Sequence, residues 1–97
     1  MKIEIEVPIA KDVMVTASSI TFALADGRTI SVPLMWYPRI LWASPEERIN
    51  WRMIGNGEGI HWNGIDEDIS VEDLLAGKGS GESKESLKKW MVSRKLA

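Results

Sequence analysis

Two short runs of alternating apolar residues, one on each side of an Asp-Gly pair, constrain this chain more than any other feature. Ile20, Phe22 and Leu24 precede Asp26-Gly27, and Ile30, Val32 and Leu34 follow it. Period-two alternation flanking a turn pair reads as a β-hairpin with one face buried. The register follows from that burial. A two-residue Asp26-Gly27 loop sets Leu24 opposite Thr29 and Phe22 opposite Ser31, so the two apolar rows fall on opposite faces. A three-residue loop, Ala25-Asp26-Gly27 with Gly27 in the left-handed conformation, pairs Phe22 with Ile30 and Ile20 with Val32 on one face. The three-residue loop with a glycine bulge is therefore the expected one.

Shorter signals surround the hairpin. Ile3, Ile5 and Val7 alternate with Lys2, Glu4 and Glu6 as in a half-buried strand ending at Pro8, and Val13 and Val15 suggest a second strand before the polar break at Ala17-Ser18-Ser19. After the hairpin the period changes. Pro38 fits the first turn of a short helix whose apolar side is Ile40, Leu41 and Trp42. Ser44-Pro45-Glu46-Glu47 is a stronger start, with Ser44 as cap, Pro45 at the first helical position and Glu47 completing a capping box. That helix is expected from Pro45 to Met53, stopped by Gly55 and Gly57, with Gly59-Ile60-His61-Trp62 returning as a strand. Ser70 then caps a further helix that carries Asp73 near its N-terminus and stops at Gly77.

The composition changes after Gly77. Residues 1–77 form the expected α+β core, residues 78–83 (with Lys78-Gly79-Ser80-Gly81) a Gly/Ser linker, and residues 84–97 a C-terminal amphipathic helix. On that helix Leu87, Trp90, Met91 and Arg94 share one face, ringed by Lys84, Lys88, Lys89 and Lys95. A helix this short is marginal alone and needs a surface to pack on. The fold class expected is thus α+β: a small, curved, mostly antiparallel sheet with a central β-hairpin, two or three short helices, and the C-terminal helix on its linker.

Composition limits the chemistry. The 97 residues contain no cysteine, which removes disulfides, thiolate nucleophiles and thiolate metal sites. Net charge is −2, so no overall basic field draws nucleic acid or an anionic membrane. The apolar stretches fall far short of the roughly 20 residues that cross a bilayer, and a cytoplasmic protein without membrane contact is expected. Five tryptophans, at 36, 42, 51, 62 and 90, are expected mostly as core anchors.

The run Asp26-Gly27-Arg28-Thr29-Ile30-Ser31-Val32-Pro33-Leu34, then Tyr37-Pro38-Arg39, Ala43 and Glu46-Glu47-Arg48, is followed by Gly59-Ile60-His61-Trp62, Asp66-Glu67-Asp68-Ile69-Ser70-Val71 and Leu74-Leu75-Ala76-Gly77. In this order and spacing, over residues 10 to 77, the chain resembles the small bacterial domain-of-unknown-function family 2442. The resemblance implies a compact α+β domain with a curved, mostly antiparallel sheet. It carries over no activity and no catalytic residue. Some members look as though they are encoded beside another small protein, like a toxin and antitoxin pair, and longer relatives append a helix-turn-helix domain. Here the tail after Gly77 has room for one helix only, which argues against DNA reading by that route.

Each candidate site has a structural alternative. His61 is the only histidine; a catalytic role, or a metal site shared with Asp66, Glu67 or Asp68, competes with a structural strand histidine. No nucleophile motif or calcium-loop spacing supports the chemical readings. The acidic run Glu58, Asp66, Glu67, Asp68, Glu72 and Asp73 reads either as a solvated loop with charges favourable to a helix N-terminus, or as a surface for a basic partner or a nucleic-acid mimic. Trp36, Tyr37, Arg39 and Trp42 either stack on bases or anchor the first helix, with Arg39 paired to Asp66 or Asp68. The tail helix docks on a partner, on its own chain, or in a dimer.

Together these readings lead to a non-enzymatic interaction domain without cofactor, monomeric or homodimeric. It is expected to meet a protein partner through Asp66, Glu67, Asp68, Glu72, Asp73, Leu87, Trp90 and Met91, and the resemblance makes an antitoxin-like role the leading form. The alternative is a regulator that contacts nucleic-acid phosphates through Lys84, Lys88, Lys89, Arg94 and Lys95.

Overall fold

The computed structural model describes residues 7–95, so the expected strand over Ile3 and Ile5 lies outside the described residues. Among the described residues, two three-stranded antiparallel sheets and four short helices make an α+β fold. The first sheet holds β1 (Ala10–Val15), β2 (Ser19–Leu24) and β3 (Thr29–Pro33) in that order. After a 3-10 turn at Leu34–Trp36 come α1 (Pro38–Leu41) and α2 (Pro45–Ile49). The second sheet orders β4 (Trp51–Ile54), β5 (Gly59–Trp62) and β6 (Glu67–Ser70). It leads into α3 (Val71–Leu75) and finally α4 (Lys84–Lys95). The single curved sheet of the sequence reading is thus divided into two.

The β2–β3 hairpin has the bulged register. Phe22 pairs with Ile30 and Ile20 with Val32, Leu24 N–H donates to Arg28 O at 2.9 Å, and Gly27 takes φ +92°. Ile20, Phe22 and Leu24 are all buried, as one-sided burial requires. On the other face Thr21 and Ser31 share a 2.7 Å cross-strand hydrogen bond.

The helix expected over Pro45–Met53 stops at Ile49, and Trp51–Ile54 is a strand. The start is as expected: Ser44 Oγ accepts from Glu47 N–H and Glu47 Oε1 accepts from Ser44 N–H. The early stop follows from tertiary pairing. Trp51, Met53 and Ile54 suit a half-buried strand, and in β4 they face Trp62, Ile60 and Gly59 of β5. The loop closing this hairpin places Gly55 at φ +60° and Gly57 at φ +108°. Gly57 also joins the two sheets: its carbonyl accepts from Ala10 N–H at 2.7 Å, and a Cβ there would lie 2.4 Å from Ala10 O. Close backbone approach and left-handed φ together demand glycine.

One core cluster joins the sheets and helices, with Phe22, Leu34, Ile40, Ile60, Trp62, Ile65 and Val71 among its buried members. The tryptophan expectation holds for three of the five, since Trp51 and Trp90 pack partly buried against the core cluster beside Trp62, and fails for Trp36 and Trp42. Only Trp62 is fully buried, with its indole N–H donating to Arg48 O at 3.0 Å. Trp42 is 56% exposed and so does not anchor the apolar side of α1. Pro38 opens α1 as expected, with Ile40 fully buried and Leu41 packing partly buried against the core. Among the described residues no helix is long and apolar enough to cross a membrane.

Candidate interaction surface

The acidic run divides between two faces. Glu67–Ser70 is strand β6, where a loop was expected, and strand alternation sends neighbouring side chains opposite ways. Asp68 pairs across the ladder with His61, and its carboxylate bonds His61 Nδ1. Glu67 pairs with Trp62, on the inward side, and is buried. Of the carboxylates grouped for a metal with His61, Asp68 meets it and Glu67 turns to the other side, and among the described residues no three His, Asp or Glu side chains converge to hold a metal. Asp66, Asp68, Glu72 and Asp73 remain exposed along the β6–α3 edge. Ser70 caps α3 by accepting from Asp73 N–H at 3.0 Å, and Gly77 follows the helix at φ +74°.

Arg39 meets neither Asp66 nor Asp68 in an ion pair. Its guanidinium grips Glu82 through both Nε and Nη2, the latter at 2.7 Å, and Nη1 donates to Ile65 O at 3.0 Å. Glu82 is 43 residues away in the chain, so no local pattern signals the pair. Glu67 lies in the same pocket, about 250 Å³ in volume, together with Asp66, Ser80, Gly81 and Ser86. Burial, reinforced by the Glu82 carboxylate, pushes the Glu67 carboxyl up to about 7. Burial likewise raises the Tyr37 hydroxyl to about 12, and that hydroxyl donates to Lys78 O at 3.3 Å.

Residues 78–83 run along the core. Ser80 N–H donates to Trp36 O at 3.0 Å, and a Cβ on Gly79 would come within 3.2 Å of the same oxygen. They lead α4 back onto its own chain. Trp90 packs against the core cluster, with the Arg94 guanidinium 4.5 Å from its ring centre and that of Arg39 at 5.4 Å. Arg94 also binds both oxygens of Glu47, at 2.8 and 2.6 Å. The Arg94 hydrogen bonds hold the Glu47 carboxyl down at about 2. Glu47 thus completes the α2 capping box and receives α4 at once.

The residues assigned to the tail therefore split. Trp90 and Arg94 face inward and are engaged, so Arg94 is not a free phosphate contact. Leu87 and Met91 are half-buried, Val92 is 49% exposed, and Lys84, Lys88 and Lys89 are exposed. An open groove of about 350 Å³ runs along this outer side, lined by Lys84, Leu87, Lys88, Met91 and Val92. Every wall of it belongs to α4.

The sequence profile of the protein of unknown function family DUF2442 matches residues 10–80. The chain belongs to the DUF2442 family. The match spans both sheets and α3 and ends before α4. Two solved structures share the fold. A protein of unknown function from Rhodospirillum rubrum aligns with TM-score 0.66 at 24% identity, covering 82% of this chain and 96% of its own. The uncharacterized protein CV0863 from Chromobacterium violaceum aligns with TM-score 0.64 at 25% identity, covering 92% of this chain and 78% of its own. No curated protein matches. As a DUF2442 member the chain acquires a fold and a family but no assigned reaction.

Proposed function

We propose that this DUF2442 domain is a protein-interaction module and not an enzyme, binding one partner along the outer side of α4. The carrying observation is the open groove on α4 where Leu87, Met91 and Val92 lie together with Lys84 and Lys88, and which no other part of the described chain lines. Helices with such apolar residues dock into apolar grooves of partner proteins, and neighbouring charges select which groove. Lys84 and Lys88 within the same surface call for a partner surface that carries carboxylates. The exposed Asp66, Asp68, Glu72 and Asp73 provide a second contact of opposite sign, suited to basic groups on the same partner. An antitoxin-like role fits this reading, with a small neighbouring protein as partner and both acting in the cytoplasm.

The test is co-purification of tagged protein from its native host, comparing the natural chain with Met91→Glu/Val92→Glu. Val92 is exposed and Met91 half-buried, both line the open groove, and the substitutions leave Trp90, Arg94 and Glu82 in place. One stoichiometric small protein, recovered with the natural chain and lost with the variant, is expected. Recovery of the same protein with both chains would overturn the assignment of α4. Salt-sensitive DNA binding that depends on Lys84, Lys88 and Lys89, with no protein partner, would replace it with the nucleic-acid reading.

A further inference from the structure

The point where the tail joins α4 holds an unusual charge arrangement. Arg39 is the one cation in a pocket that also contains Glu67, Glu82 and Asp66. Glu82 occupies the Nε/Nη2 edge of the guanidinium, and the Ile65 carbonyl accepts from Nη1. Glu82 in turn accepts from Ser86 Oγ at 2.8 Å, in the first turn of α4. The Arg39–Glu82 pair therefore fixes the start of α4 to the core. Glu67 stands beside this pair, buried and without an ion-pair partner of its own among the described residues.

We propose that Glu67, Arg39 and Glu82 form a proton-controlled latch for α4: a neutral Glu67 lets Arg39 hold Glu82, and an ionised Glu67 competes for Arg39 and repels Glu82, releasing the helix. The groups facing Glu67 set the direction. From α1 comes Arg39, which favours its ionisation, and from the residue just before α1 comes Tyr37, a neutral phenol well below about pH 12. From its own strand region Asp66 and Asp68 add negative charge, with Asp68 held by His61 on β5; from the tail come Glu82 and Ser86. Asp73 of α3 acts on Tyr37 and lies 3.9 Å from Lys78. One cation thus serves two close carboxylates, and protonation of Glu67 leaves it to Glu82.

The sign follows from linkage. In the docked state the Glu67 carboxyl titrates near 7, above its ordinary 4.5, so docking takes up a proton. The favourable contribution is complete below about pH 4.5 and is lost as the pH rises through about 7. Release would free Trp90 and the half-buried sides of Leu87 and Met91, widening the surface proposed above for the partner. The latch has its significance only on that reading, but its test needs no partner.

The experiment is amide hydrogen exchange of residues 84–95 in the full chain at pH 6 and pH 8, corrected for intrinsic rates. Protection should fall about tenfold between the two, because docked Glu67 keeps its proton at pH 6 and has lost it at pH 8. In Glu67→Gln, which keeps the neutral shape, protection should stay at its pH 6 level throughout. Equal protection at both pH values in the natural chain, or an undiminished pH dependence in Glu67→Gln, would overturn the latch. If that variant fails to fold, carboxyl NMR of Glu67 decides instead. Its midpoint should lie near 7 in the natural chain and drop in Glu82→Gln; an ordinary midpoint, or one unmoved by Glu82→Gln, would overturn the proposal.

Discussion

Residue identity and residue importance diverge among the tryptophans. Trp62 is fully buried, and its indole N–H satisfies the Arg48 carbonyl beside the second sheet. Trp62→Phe loses that hydrogen bond and leaves part of the indole volume empty, and should cost about 2 kcal/mol of unfolding free energy. Trp42→Ala removes a side chain of the same size that is 56% exposed, and should change stability by no more than about 0.5 kcal/mol. Urea denaturation of the two variants checks the contrast. Equal losses would contradict the division of roles. The sequence counts five indoles, but only the fold distinguishes them.

Among elements, the turns follow local rules and the strands follow their neighbours. Gly27 and Gly57 both take left-handed φ, yet their surroundings differ. Nothing lies within 4 Å of a Cβ at Gly27, so Gly27→Ala should cost only the left-handed strain, about 1–2 kcal/mol. At Gly57 the same Cβ meets the Ala10 carbonyl at 2.4 Å, where β1 joins the β4–β5 turn. Gly57→Ala should therefore cost at least about 3 kcal/mol and loosen the junction between the sheets. Thermal melts give the order. Amide exchange in β1 and β5 shows whether the junction is what fails.

For the whole molecule, α4 is held by charge pairs at both ends with one tryptophan between them. Glu82 meets Arg39 at the start, Arg94 meets Glu47 near the end, and Trp90 lies between the two guanidiniums. Such attachment depends on pH from both sides. The Glu47 carboxyl is depressed to about 2 by its hydrogen bonds with Arg94, so its contribution is present above about 4.5 and lost as the pH falls toward 2. The Arg39 hydrogen bonds depress Glu82 in the same direction. Glu67, raised to about 7, acts in reverse. Docking of α4 should then be strongest near pH 4.5 and weaken both as the pH falls toward 2 and as it rises through 7, as amide exchange across that range would show. Arg94→Ala should abolish the Glu47 part of the acid limb and leave the alkaline limb in place.

The hairpin register, the Ser44 and Ser70 caps and the Gly77 stop were legible in the sequence because each rests on contacts within a few residues. Alternation, a capping serine and a left-handed glycine state their own geometry. The acidic edge was legible too, since Asp66, Asp68, Glu72 and Asp73 cluster in the chain and stay exposed. The β4 strand was not, because Trp51–Ile54 gains its pairing only when β5 lies beside it. Nor was β6, where alternation buries Glu67 between exposed acidic neighbours. The Arg39–Glu82 and Arg94–Glu47 pairs span 43 and 47 residues, and no pattern in the chain announces them. The sequence alone determined the turns, the caps and the amphipathic character of α4. Tertiary structure decided which side of that helix faces its own core, because burial and charge pairing depend on what distant segments bring alongside.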